Sequence, residues 1–176
     1  TMQFFPDSIG GADILFLNFS FAQLGRNAWA LFSRVFLQLP DIFFNSIPAF
    51  GPLYHVSIPF VLIGIIVFTI RLFKEKQIEK QTQMLALWGF LITGIWVGLI
   101  TFEVNINRVN IIFYPVILLC AYGISLVVDK FGKLFPVIVA AYAVSSVLFF
   151  ATYFTEYAEE SRYYYNRDFL DAVSEA

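Results

Sequence analysis

Residues Gln83–Phe102 read QMLALWGFLITGIWVGLITF, 20 positions without a charge, and Val109–Val128 are a second uncharged run of 20. Only EVNINR, Glu103–Arg108, lies between them. At a helical rise of about 1.5 Å, some 20 residues reach across the roughly 30 Å hydrocarbon core of a bilayer. Two such runs joined by six residues predict two antiparallel membrane helices with a short polar loop at one surface. Ile42–Ile70 and Leu134–Thr155 extend the pattern. Prolines at positions 48, 52 and 59 break the first half of the former, leaving a helix over about Val56–Phe73. The expected spans are therefore 56–73, 83–102, 109–128 and 134–155.

Composition agrees. The 176 residues are 59% hydrophobic and 14% charged, with a mean hydropathy of +0.74. Soluble domains carry about 25% charged residues, and 11 basic and 13 acidic side chains cannot cover the surface of a soluble domain this small. Inside a bilayer every backbone group must be satisfied within its own segment, which favours helices, and the alternation of a membrane barrel is absent. The fold class is all-α, polytopic. A net charge of −2 without a basic stripe argues against nucleic acid as a partner. The single cysteine, Cys120, excludes an intrachain disulfide.

Orientation follows from the basic loops. Arg71, Lys74, Lys76 and Lys80 cluster in one connection, and Lys130 and Lys133 in another, which the positive-inside rule places in the cytoplasm. Residues 1–55, the loop around Glu103–Arg108 and the acidic tail 156–176 are then expected on the extracytoplasmic face of the cell membrane. The chain divides into that leading segment, a four-helix membrane region over 56–155, and the start of a C-terminal extracytoplasmic segment. Leu24, Ala28, Leu31, Phe32, Val35, Phe36 and Leu39 recur at helical spacing, with Arg26, Asn27, Ser33, Arg34 and Gln38 opposite. This is an amphipathic helix lying in the outer interface, with Trp29 at the headgroup level, or packed on neighbouring protein. No basic residue precedes Arg26, so no secretory signal is read, and Thr1 and the closing FLDAVSEA are expected to be cut ends of a longer polypeptide.

The candidate site is the polar loop. Arg108 is its one basic residue, and a guanidinium offers five donors in a planar fork that matches phosphate oxygens. Asn105 and Asn107 add neutral donors and acceptors, and Glu103 can hold the guanidinium. The plainer reading is an arginine that snorkels to ordinary lipid phosphates. His55 follows GPLY at the entrance of the first span, without the carboxylate or cysteine neighbours of a metal site. None of the HExxH, GxSxG, P-loop or GxGxxG motifs occurs, and the spans hold no Asp, Glu or Lys of the kind that lines an ion pathway.

In its order of elements the chain resembles the C-terminal membrane half of bacterial GT-C glycosyltransferases. The residues that carry the likeness are DIFFNSIPAFGPLYHVSIPFVLIG (41–64), a basic loop, a tryptophan-bearing span, NINRVNIIFYPVILLCAYG (105–123) and YNRDFLDAVSEA (165–176). The nearest branch is family 39, which includes protein O-mannosyltransferases and aminoarabinose transferase-like enzymes. The likeness covers most of residues 38–176. It implies transfer of a sugar from a polyprenyl-phosphate donor outside the membrane, with the catalytic aspartate in an N-terminal half that this stretch lacks. It assigns Arg108, Asn105 and Asn107 to the donor's lipid phosphate, with Glu103, Tyr54 and His55 in support. A divalent metal, where the family uses one, would find its ligands elsewhere in the protein. A transporter or lipid flippase, with the loop as a gate, and a non-catalytic membrane scaffold are the alternatives.

Overall fold

The computed structural model describes residues 20–41, 47, 50–101 and 104–162. Five helices account for most of them: α1 Phe21–Val35, α2 Ile58–Lys74, α3 Ile78–Ile100, α4 Phe113–Lys130 and α5 Phe135–Thr152. Single 3-10 turns over His55–Ser57, Asn110–Ile112 and Gly132–Leu134 lead into α2, α4 and α5, and a π turn over Tyr153–Tyr157 prolongs α5. The described residues contain no strand. Four of the helical segments are long and apolar enough to cross a membrane.

The ends differ from the expected ones for local reasons. α3 starts five residues before its uncharged run, because Glu79, Lys80 and Gln81 are good helix formers that prolong the helix beyond its apolar part. The last helix likewise continues to Arg162, giving a helical segment of 31 residues. Pro59 and Pro136 sit in the first turn of α2 and α5, where a missing N–H costs nothing. Within the apolar helices the hydroxyls of Thr69 and Ser145 donate to the carbonyls of Ile65 and Ala141, four residues back, which satisfies them locally.

The core is the contact of α2 with α4, which run parallel rather than antiparallel because α3 returns the chain between them. Two glycines set this contact. A Cβ on Gly64 would fall on the carbonyl oxygen of Leu119, and one on Gly123 would fall on that of Phe60. Only glycine lets the two backbones touch there, as at close-packed membrane helix crossings. Val61, Val116 and Leu119 fill the space beside them and are almost wholly buried.

α1 packs on α3 through a stripe of Asn27, Leu31 and Val35. The Leu31 side chain lies over Gly98 of α3. Here the structure differs from the expected split of the helix into apolar and polar sides. Asn27, Ser33 and Gln38 are buried, whereas Trp29 and Phe32 are exposed and stack with ring centroids 5.8 Å apart. The reason is hydrogen bonding: Asn27 Nδ2 donates to the carbonyls of Leu99 and Thr101 at 2.8 and 2.6 Å, satisfying the open C-terminal end of α3. One flank of α1 thus meets protein and another presents aromatic rings outward.

α5 stands apart. Of its residues only Ile138 is buried, and Val137, Val147 and, beyond its end, Phe154 are each more than 60% exposed. A surface of this kind is stable against lipid or further protein and not against water.

The glycine contact gives a stability test. Gly64→Ala or Gly123→Ala should lower stability by about 1–3 kcal/mol, the usual cost of overpacking a tight contact. Gly89→Ala, on α3 with nothing within 4 Å of the added methyl, should be neutral or slightly stabilising. Thermal unfolding of the purified variants in detergent would compare them.

Candidate functional site

α2 and α4 begin, and α3 and α5 end, at the same end of the bundle, so residues 50–57 and 104–112 come together there. The loop from Val104 to Val109 is held by two buried valines, Val109 being only 1% exposed. Between these pegs the chain turns tightly. The backbone carbonyl of Asn105 accepts from the amides of Arg108 and Val109, both at 3.1 Å, and its side-chain Oδ1 accepts from the Arg108 amide at 2.9 Å. An asparagine that bonds the backbone ahead of it is a standard way of closing such a turn.

A buried carboxylate fixes the turn to the rest of the protein. Asp41 Oδ2 accepts from the Ile106 amide at 2.7 Å, while Oδ1 accepts from Arg34 Nη2 of α1 at 2.9 Å and from Nε at 3.3 Å. The Asp41 side chain is 2% exposed, so the arginine and the amide take the place of its hydration. Beside it Gln38 adopts a left-handed backbone with φ of 53°. Its amide donates to the Val35 carbonyl at 2.5 Å, closing the end of α1, and its Oε1 accepts from the Leu53 amide at 2.7 Å. Asp41 and Gln38 thereby set the path of both loops.

The structure separates the expected site residues into two groups. Arg108 and Asn107 are exposed at the tip of the pinned turn, and Asn105 is half-buried with its carbonyl group spent on the turn itself. Asn105 is thus the residue that positions Arg108, and its amide nitrogen is what it can offer a ligand. Tyr54 faces a different feature, a cavity of about 460 Å³ between α4 and α5. His55 is exposed in the turn that opens α2. Arg108 and His55 are not among the described residues that line this cavity. Glu103 lies outside the described residues.

Sequence reasoning passes over the cavity's polar floor. Ser57 Oγ and Tyr142 Oη are hydrogen-bonded at 2.8 Å, and the Cys120 thiol lies 3.5 Å from Tyr142 Oη and 3.7 Å from the Ser57 carbonyl. Tyr54, Tyr142 and Phe149 form an aromatic wall, with Tyr54 6.2 and 6.4 Å from the other two ring centroids. The three polar groups come from the turn before α2, from α4 and from α5 and are separated by up to 85 positions, so no local spacing reveals them. Among the described residues no three His, Cys, Asp or Glu side chains are grouped as a metal site.

No protein family, curated protein or solved structure matches the chain. The chemistry of the site therefore has to be read from its own residues. A pinned guanidinium at a bundle end can meet an anion from solvent or from the headgroup layer. A mainly apolar cavity with two hydroxyls and a thiol on its floor can take an uncharged chain or ring.

The Asp41 contact makes a clear prediction. Asp41→Ala leaves Arg34 and the Ile106 amide without their acceptor, and breaking a buried pair of this type costs about 3–5 kcal/mol. Chemical unfolding should show that loss, and amide exchange at Ile106 should speed up ahead of global unfolding. Unchanged exchange at Ile106 would mean that the turn is held by its valines alone.

Proposed function

We propose that the chain is the membrane part of a glycosyltransferase that moves a sugar from a polyprenyl-phosphate donor to an acceptor at the extracytoplasmic face. The observation that carries this reading is the Asn105–Arg108 turn. Its guanidinium is exposed at one end of an apolar bundle, on a loop fixed by Asp41, Val104 and Val109. A flexible loop would lose the orientation that a phosphate-binding fork needs. The resemblance of residues 38–176 to family 39 supports the same loop, and the basic residues at the other end of the bundle favour an orientation with this end outside.

In the proposed reaction the bond between the sugar's anomeric carbon and the phosphate oxygen breaks, and its electron pair stays on that oxygen. An acceptor oxygen forms the new bond to the anomeric carbon and gives its proton to a base. Negative charge grows on the leaving phosphate, where the Arg108 fork, with Asn107 and the Asn105 amide nearby, stabilises it. The base belongs to another part of the enzyme in this reading, because the turn carries only amide and guanidinium groups.

Donor titration tests the role of Arg108. Arg108→Ala should weaken binding of a polyprenyl-phosphate sugar by roughly ten- to a hundredfold, the worth of one charge-assisted hydrogen bond. Arg108→Lys should recover only part, since it keeps the charge and loses the planar fork. If Arg108→Ala binds donor like the parent, the turn is only a connection between helices.

Topology offers an independent check. With Cys120 replaced by serine, cysteines placed at Gln77 and at Glu160 should react with an impermeant thiol reagent from opposite sides of sealed vesicles, Glu160 from the outside. Labelling of both from one side would remove the basis for placing the Arg108 turn outside.

A further inference from the structure

The end of the bundle away from the Arg108 turn carries a charge that the fold itself leaves unbalanced. Arg71 and Lys74 close α2, Lys76 lies in the link, Lys80 opens α3, Lys130 closes α4 and Lys133 follows it. Three carboxylates, Glu75, Glu79 and Asp129, share this end, so three positive charges remain. All six cations are exposed. Among the described residues none of them is in an ion pair; the Arg34–Asp41 pair lies at the other end. Glu75 is engaged elsewhere, its Oε1 accepting from the amides of Gln77 and Lys76 at 2.9 and 3.0 Å. Those amides, Gln77 foremost, hold its carboxyl below the usual carboxylate range, with a smaller contribution from the charge of Lys80.

Helix dipoles do not neutralise the excess. Two C-termini, of α2 and α4, and two N-termini, of α3 and α5, meet at this end, so their partial charges of opposite sign offset one another. The parallel packing also brings the two basic C-termini to one depth. Gly64 lies against Leu119. From that contact Lys74 is about 15 Å along α2 and Lys130 about 16 Å along α4. Arg71 leans toward α4, its Cζ 5.5 Å from the centroid of the Tyr122 ring.

What surrounds these cations indicates the partner. Phe73 beside Lys74 is 82% exposed and Phe131 beside Lys130 is 52% exposed. Large apolar rings next to cations at the ends of apolar helices suit the boundary between acyl chains and headgroups, and would be poorly placed against a soluble acidic protein. We infer that the paired ends of α2 and α4 form a binding surface for the headgroups of anionic phospholipids, with Arg71, Lys74 and Lys130 as its principal contacts. This surface is independent of the proposed donor site and serves whichever leaflet faces it.

The test is lipid binding by native mass spectrometry of the whole chain, delipidated in detergent and titrated with phosphatidylglycerol or phosphatidylcholine. The parent protein should bind phosphatidylglycerol preferentially. Each basic residue near an anionic surface is worth about 1 kcal/mol, close to fivefold in affinity. The Arg71→Gln/Lys74→Gln/Lys130→Gln variant should therefore lose at least about tenfold of that preference. Replacing the two lysines by arginine should preserve it, which separates loss of charge from loss of fold. Arg26→Gln, an exposed position on α1 beside the C-terminal end of α3 and so at the other end, should leave the preference unchanged. Equal binding of the two lipids by the parent would overturn the inference, as would a triple variant that keeps the preference, or an Arg26→Gln variant that loses it.

Discussion

The backbone contact between α2 and α4 at Gly64 and Gly123 sets the geometry of everything around it. Because these two helices touch, Ser57 at the head of α2 comes level with Cys120, one residue from the Leu119 carbonyl at the crossing. The floor of the cavity is fixed by that register. α3 and α1 are then laid on the pair in turn, with Leu31 seated over Gly98 and Asn27 on the last carbonyls of α3. In lipid there is no hydrophobic force between helices, so such close approach, with its many small dispersion contacts, is what the assembly depends on.

The four apolar helices are legible in the sequence because a bilayer imposes a minimum length of uncharged residues, and runs such as 83–102 and 109–128 meet it. Their ends are less so. Charged residues mark where a side chain meets water, whereas the helix itself stops only where its backbone bonds stop, at Ile78 rather than Gln83. Which helices touch is not legible at all. Gly64 and Gly123 look like any other glycines in an apolar run, and only their opposing backbones give them a purpose.

The candidate turn is read correctly as polar, short and basic, yet its supports are invisible in sequence. Asp41 stands 65 positions from the Ile106 amide that it holds, and Asn27 stands 74 from the Thr101 carbonyl. Helical spacing assigns Asn27, Ser33 and Gln38 to a solvated side, because a polar side chain is most often solvated. Here Asn27 and Gln38 are buried against carbonyls left open at the ends of α3 and α1, a demand that arises only once those ends are brought together, and Ser33 donates to the Ala30 carbonyl within α1.

α5 has a consequence of another kind. Among the described residues it is tied to the others by the short turn at Gly132–Leu134, the Tyr142 hydroxyl and the rings around Phe149. One wall of the cavity is therefore a helix whose detachment would break few contacts and, apart from the Ser57, Cys120 and Tyr142 groups, expose mainly apolar surface. A molecule with an apolar tail would reach the cavity sideways, without first passing through water. Its rate of arrival would then follow its density within the membrane plane, and its concentration in solution would matter little.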